Sequence, residues 1–168
     1  MKKLVIYIVI SFFIFNLSNL EIYSNSKINQ KNERAQFTST EEGYINELTS
    51  LKNQLEIFST NSIDAVINKK DKSKLLNESA YIKSQIRQLR LYLTQYHKEY
   101  NNDESKNPEL LAMLNTLNYY SMALSYITLF LNVTLPSDEN IYLENYYFSK
   151  ASGDQVLLWI KSQFKFND

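Results

Sequence analysis

Between Leu110 and Leu135 the chain reads LLAMLNTLNYYSMALSYITLFLNVTL, 26 residues without one Asp, Glu, Lys or Arg. Leu110, Leu114, Leu117, Ser121, Leu124, Thr128 and Leu131 recur at alternating spacings of four and three, which places them in one stripe along a helix. A second stripe, Leu111, Met113, Tyr120, Ala123, Ile127 and Phe130, lies beside it. A helix apolar over so wide an arc has to be covered by several neighbours. Asn107 and Pro108 form a start signal, and Glu109 puts negative charge at the positive end of the helix dipole. Its length would about span a bilayer, but Asn115, Asn118, Ser121, Ser125, Thr128 and Asn132 interrupt it at every turn. The reading that follows is the central helix of a soluble core.

Two glycines and two prolines in 168 residues leave few tight turns, which disfavours β-rich folds and leaves little but helix. Gly43 and Gly153 are too far apart for a phosphate-cradling loop or a dinucleotide fingerprint. The absence of cysteine removes thiol nucleophiles, zinc fingers and disulfides. With 18 basic and 18 acidic residues the formal charge is zero, which lacks the long-range attraction of a nucleic-acid binder.

At the amino end, Lys2 and Lys3 precede the apolar run Leu4 to Phe15 and the polar residues Asn16, Ser18 and Asn19. That order is a secretory signal, read here as residues 1–26 with cleavage after Ser26 and an uncleaved anchor as the alternative. Residues 27–38 are polar and without periodicity, a flexible lead. The folded part is residues 39–168.

Ser39 and Glu42 have capping-box spacing, and Tyr44, Leu48, Leu51, Leu55 and Phe58 follow in a helical stripe that should end near Asn68. Ser59 to Ser62 is a point where this helix could bend. A second helix is expected from Ser73 to Tyr100, on the row Leu75, Ser79, Ile82, Ile86, Leu89, Leu93, Tyr96 and Tyr100. After the charge-free helix, Pro136 with Ser137, Asp138 and Glu139 starts a fourth, which carries Gly153 within a Ser152 to Gln155 capping pattern, a point where it could break in two. Four long helices with short connections imply an all-α fold, an antiparallel bundle of four long helices after an N-terminal signal peptide. The lysine loop between the first two helices and the acidic corner Ser137 to Glu139 then fall at the same end.

No motif carries catalysis. His97, the one histidine, has no adjacent nucleophile or orienting acid, and no Glu-x-x-His pair supports a metal. The reading is non-enzymatic, with no cofactor and no metal ligand. Thirteen tyrosines are the compositional excess. Phenols at a core margin bury the ring and keep the hydroxyl wet, but tyrosine is also favoured where a partner covers a surface. Tyr119, Tyr120, Tyr142, Tyr146 and Tyr147 are therefore the candidate partner-binding residues. Lys69, Lys70, Lys72 and Lys74 are candidates for contact with an anionic surface.

The expectation is an exported bundle that binds another protein in the envelope or outside the cell. Two alternatives are a membrane-active protein whose charge-free helix inserts and a carrier of an apolar ligand between the helices. Membrane contact otherwise comes only through the N-terminal segment, and no nucleic acid is expected.

Overall fold

The computed structural model describes residues 39–99 and 107–163. The signal segment 1–26, the lead 27–38 and the turn after the second helix lie outside the described residues, as do the capping side chains of Ser39, Asn107 and Pro136. Four α-helices make up the described chain, α1 Ser39–Ile67, α2 Ser73–Glu99, α3 Asn107–Leu131 and α4 Pro136–Gln163, and no strand occurs among the described residues.

Cross-helix contacts fix the directions. Tyr44 on α1 meets Tyr96 on α2, Ser79 and Arg90 on α2 meet Thr128 and Asn118 on α3, and Tyr120 on α3 meets Asp154 on α4. Lys52 and Glu56 on α1 meet Asp154 and Lys150 on α4. Wherever two pairs join the same helices, one number rises as the other falls, so α2 runs antiparallel to α3 and α4 to α1. The short connections turn the remaining neighbours in the same sense, giving an antiparallel up-and-down bundle.

The cross-section is a diamond. α3 touches all three other helices, α1 does the same, and α2 and α4 do not approach each other. The most extensive contact is α3 with α4, where Gly153 lies against Tyr119 and Tyr120 and lets the helices come close. The buried centre of α3 is the row Leu110, Met113, Leu117, Tyr120, Leu124, Ile127 and Leu131, which lies between the two stripes that the sequence suggests. α2 buries Ser79, Ile82, Ile86, Leu89, Leu93 and Tyr96, the expected row apart from Leu75, which is half-buried, and Tyr100, which lies outside the described residues.

One boundary differs from expectation, and neither of the two helix interruptions that the sequence allows occurs. α3 ends at Leu131 rather than Leu135: the Asn132 amide donates to both Thr128 and Leu129 carbonyls, and its side chain caps Thr128 at 2.9 Å. α4 does not break at Gly153 but is continuous, and α1 runs unbroken through Ser59 to Ser62. Serine and threonine hydroxyls in that stretch donate back to the carbonyl of Glu56, which absorbs them within the helix.

α1 closes with the Lys70 amide donating to Ala65 at 2.9 Å and the Lys69 amide to Val66 at 3.3 Å. This is the paired bonding of a Schellman motif, and its left-handed position is Lys69, at φ 50°, where glycine is usual. Asp71 then accepts from both the amide and the hydroxyl of Ser73, which starts α2 and holds its carboxyl below the ordinary range.

Candidate functional site

The five candidate tyrosines divide by helical phase. Tyr120 and Tyr146 are fully buried and leave the partner-binding set, because each occupies the centre of its helix's inner arc. Tyr119 and Tyr142 are half-buried, and Tyr147 is exposed. Of each adjacent pair the inner ring fills the core and the outer one reaches the surface.

Tyr120 and Tyr146 belong instead to a polar lock between α1, α3 and α4. The Tyr120 hydroxyl donates to Asp154 Oδ1 at 2.9 Å, and Lys150 Nζ donates to Asp154 Oδ2 at 2.8 Å. Lys52 approaches the same carboxylate at 3.8 Å, and Lys150 approaches Glu56 at 3.7 Å. The Tyr146 hydroxyl points at the Leu55 carbonyl, 3.4 Å away. Burial pushes the Tyr120 phenol well above its usual range, helped by the Asp154 charge, and pushes Tyr146 up to about 12. Sequence reasoning missed this lock, although Lys52 with Glu56 and Lys150 with Asp154 are both spaced four apart on their helices. The arrangement contains no activated nucleophile with a base and an orienting group. It can tie α4 to α1 and α3.

Gly153 sits at the same level. A Cβ there would lie 2.6 Å from Tyr120 Cε1 and 3.2 Å from Tyr119 Cβ, so glycine is what allows α4 to seat against these rings. The four lysines do not form a joint site. Lys69, Lys70 and Lys74 are exposed and Lys72 is half-buried, and Lys70 pairs with Asp64 on α1. Among the described residues no ion pair joins them to Asp138 or Glu139, although the two loops share one end of the bundle. His97 is half-buried in the last turn of α2. No group of three metal-ligating side chains occurs among the described residues.

The unexpected surface lies on the outside of α3. Leu111, Asn115, Asn118, Met122, Ser125 and Leu129 are all exposed, and their spacings of four and three place them in one row. Leu111, taken from the sequence as an inner residue, is 52 % exposed because α3 turns this row away from its three neighbours. The row is about 27 Å long and carries no charge.

Its two borders differ. On α2 the row Leu76, Ala80, Lys83, Arg87, Arg90 and Thr94 lies alongside, because Arg90 Nη1 donates to Asn118 Oδ1 at 2.5 Å. On α4 the flank facing α1 carries Tyr147, Lys150 and Asp154, so the opposite flank runs beside α3. That opposite flank is Ile141, Asn145, Phe148, Ser152, Gln155 and Trp159, again without charge. Phe148 is half exposed, and half-buried Tyr119 and Tyr126 fill the angle between α3 and α4. A charge-free floor thus has a cationic border on one side and an aromatic one on the other.

No protein-family model, curated protein or solved structure matches the chain. No helix among the described residues is long and apolar enough to cross a membrane.

Proposed function

We propose that this chain is an exported, non-enzymatic helical bundle that binds another protein in the envelope or outside the cell, using the outer face of α3 and the adjoining flank of α4. One observation carries the reading: the exposed row Leu111 to Leu129 has no charge, while other surfaces of the bundle are studded with lysine, arginine and glutamate. Leu111, Met122 and Leu129 are each about half exposed, and covering each would contribute roughly 1 kcal/mol. Large apolar side chains exposed along one uncharged row suit a surface that a partner covers. Phe148 and Tyr126 beside it are residue types that anchor interfaces. Export rests on the basic, apolar and polar order of residues 1–26.

The membrane-active alternative has less support. No described helix is apolar enough to span a bilayer, and the floor's Asn115, Asn118 and Ser125 would have to be desolvated on insertion.

The test is affinity capture from the producing cell's envelope and surroundings, with the full chain as bait beside its Met122→Lys and Phe148→Ser variants. The reading predicts one saturable protein partner, lost or weakened at least tenfold by either substitution while helical content is unchanged. Capture of the same proteins at equal strength by all three baits would refute it.

A further inference from the structure

The geometry points to the class of partner: an amphipathic helix with acidic residues along one edge, lying lengthwise on α3 with that edge over Lys83 and Arg87. This inference rests on the proposed protein-binding role of the α3 face and adds the chemistry of what covers it.

The charge pattern makes the commitment. Lys83, Arg87 and Arg90 fall in one row on α2, spaced four and three apart, and the row contains no acidic residue from Leu76 to Thr94. Lys83 and Arg87 are exposed, Arg90 reaches across to Asn118, and none of the three has a carboxylate partner among the described residues. Three unpaired cations therefore border a charge-free floor on one side only. A partner presenting carboxylates on the side toward α2, and apolar side chains beneath, satisfies both. The complementary charges would orient it and speed its encounter.

The floor sets the form of the occupant. From Leu111 to Leu129 it is about 27 Å long, which suits a helix of about 18 residues. Leu111, Met122 and Leu129 offer the apolar contacts, in the manner of helix-in-groove recognition. Asn115, Asn118 and Ser125 lie between them and can bond to side chains of a helix and fix its register. Ser125 already donates to the Ser121 carbonyl and Asn118 Oδ1 accepts from Arg90, but hydrocarbon cannot satisfy the Asn115 amide or the Asn118 amide nitrogen, which favours a peptide over a bilayer. A second copy paired face to face with its α3 antiparallel would set Lys83, Arg87 and Arg90 against the same residues, so a two-fold dimer of that kind meets like charge.

The experiment uses the full chain and two synthetic 18-residue helices with identical Leu/Ala faces, one edged with Glu and one with Lys. Titration calorimetry at low and high salt gives the affinities. The inference predicts that the Glu-edged helix binds at least tenfold more tightly than the Lys-edged one, with the difference shrinking as salt rises. Lys83→Glu/Arg87→Glu should reverse the preference, Lys83→Gln/Arg87→Gln should abolish it, and Met122→Lys should weaken the Glu-edged helix. Equal affinity for the two helices, no binding of the Glu-edged helix at millimolar concentration, or a preference indifferent to the α2 substitutions would overturn it. So would tighter binding to phosphatidylcholine–phosphatidylserine vesicles than to either peptide, or a doubling of the chain's mass abolished by Met122→Lys. A captured cellular protein whose binding is lost in Met122→Lys but kept in Lys83→Glu/Arg87→Glu would leave the proposed function standing and remove this inference alone.

Discussion

Gly153 shows how much one missing methyl group arranges. Helix propensity favours alanine over glycine by up to about 1 kcal/mol, so propensity alone makes Gly153→Ala stabilising. The Tyr120 ring stands where the new Cβ would go, and its hydroxyl is held by Asp154, so the ring cannot simply swing aside. Overpacking should win, and Gly153→Ala is expected to lower the unfolding free energy by about 1 to 3 kcal/mol, read as a shift of the urea midpoint. The buried phenols make a second prediction. Tyr146 has its folded pKa raised to about 12, above the value of about 10 in the unfolded chain. Both states are neutral below pH 10; between pH 10 and 12 the unfolded chain ionises first and gains stability, so the folded state loses ground as pH rises. Tyr146→Phe removes that loss. The stability difference between wild type and Tyr146→Phe should therefore move in favour of the variant by roughly 2 kcal/mol between pH 10 and 12, measured by denaturant titration at each pH. An unchanged difference would mean that the hydroxyl is not desolvated.

At the scale of elements, α3 has two rows of opposite meaning. Leu117→Ala, in the inner row, should cost about 2 to 5 kcal/mol, whereas Met122→Ser in the outer row should stay within about 0.5 kcal/mol. Thermal unfolding of the two variants side by side checks this. The α1 terminus offers the opposite sign: relieving the left-handed conformation of Lys69 with Lys69→Gly should stabilise by about 1 kcal/mol, seen as a rise of a few degrees in Tm. The α2 row could be read from the sequence because charged residues alternate with it and define a phase. α3 cannot be phased in that way, since from Leu110 onward it has no charge on any side to announce which leucines face out; the sequence therefore puts Leu111 inside. By spacing alone Gly153 is a point where α4 could break, because spacing reports capping potential and says nothing of a ring on a neighbouring helix. Adjacent tyrosines were ambiguous for the same reason, and only the packing of α4 on α3 and α1 distinguishes Tyr146 from Tyr147.

For the molecule as a whole, the diamond arrangement connects the core to the proposed function. Because α1 and α3 share the short diagonal, α3 can be the most enclosed helix and still present one row to the outside. The lock of Tyr120, Asp154, Lys150, Lys52 and Glu56 holds α4 to α1 on the other side, leaving the α3 face to be covered from without. Methionine oxidation tests that claim most directly, because the described chain holds an internal reference: Met122 is 45 % exposed and Met113 is fully buried. Brief peroxide treatment of the purified protein should convert Met122 to the sulfoxide and spare Met113. Treatment of the producing culture before extraction should leave Met122 largely unoxidised, several-fold below the purified protein at equal dose, because a partner covers it. Equal oxidation of Met122 in both settings, with Met113 spared in each, would contradict the account and leave the outer row of α3 as bare surface.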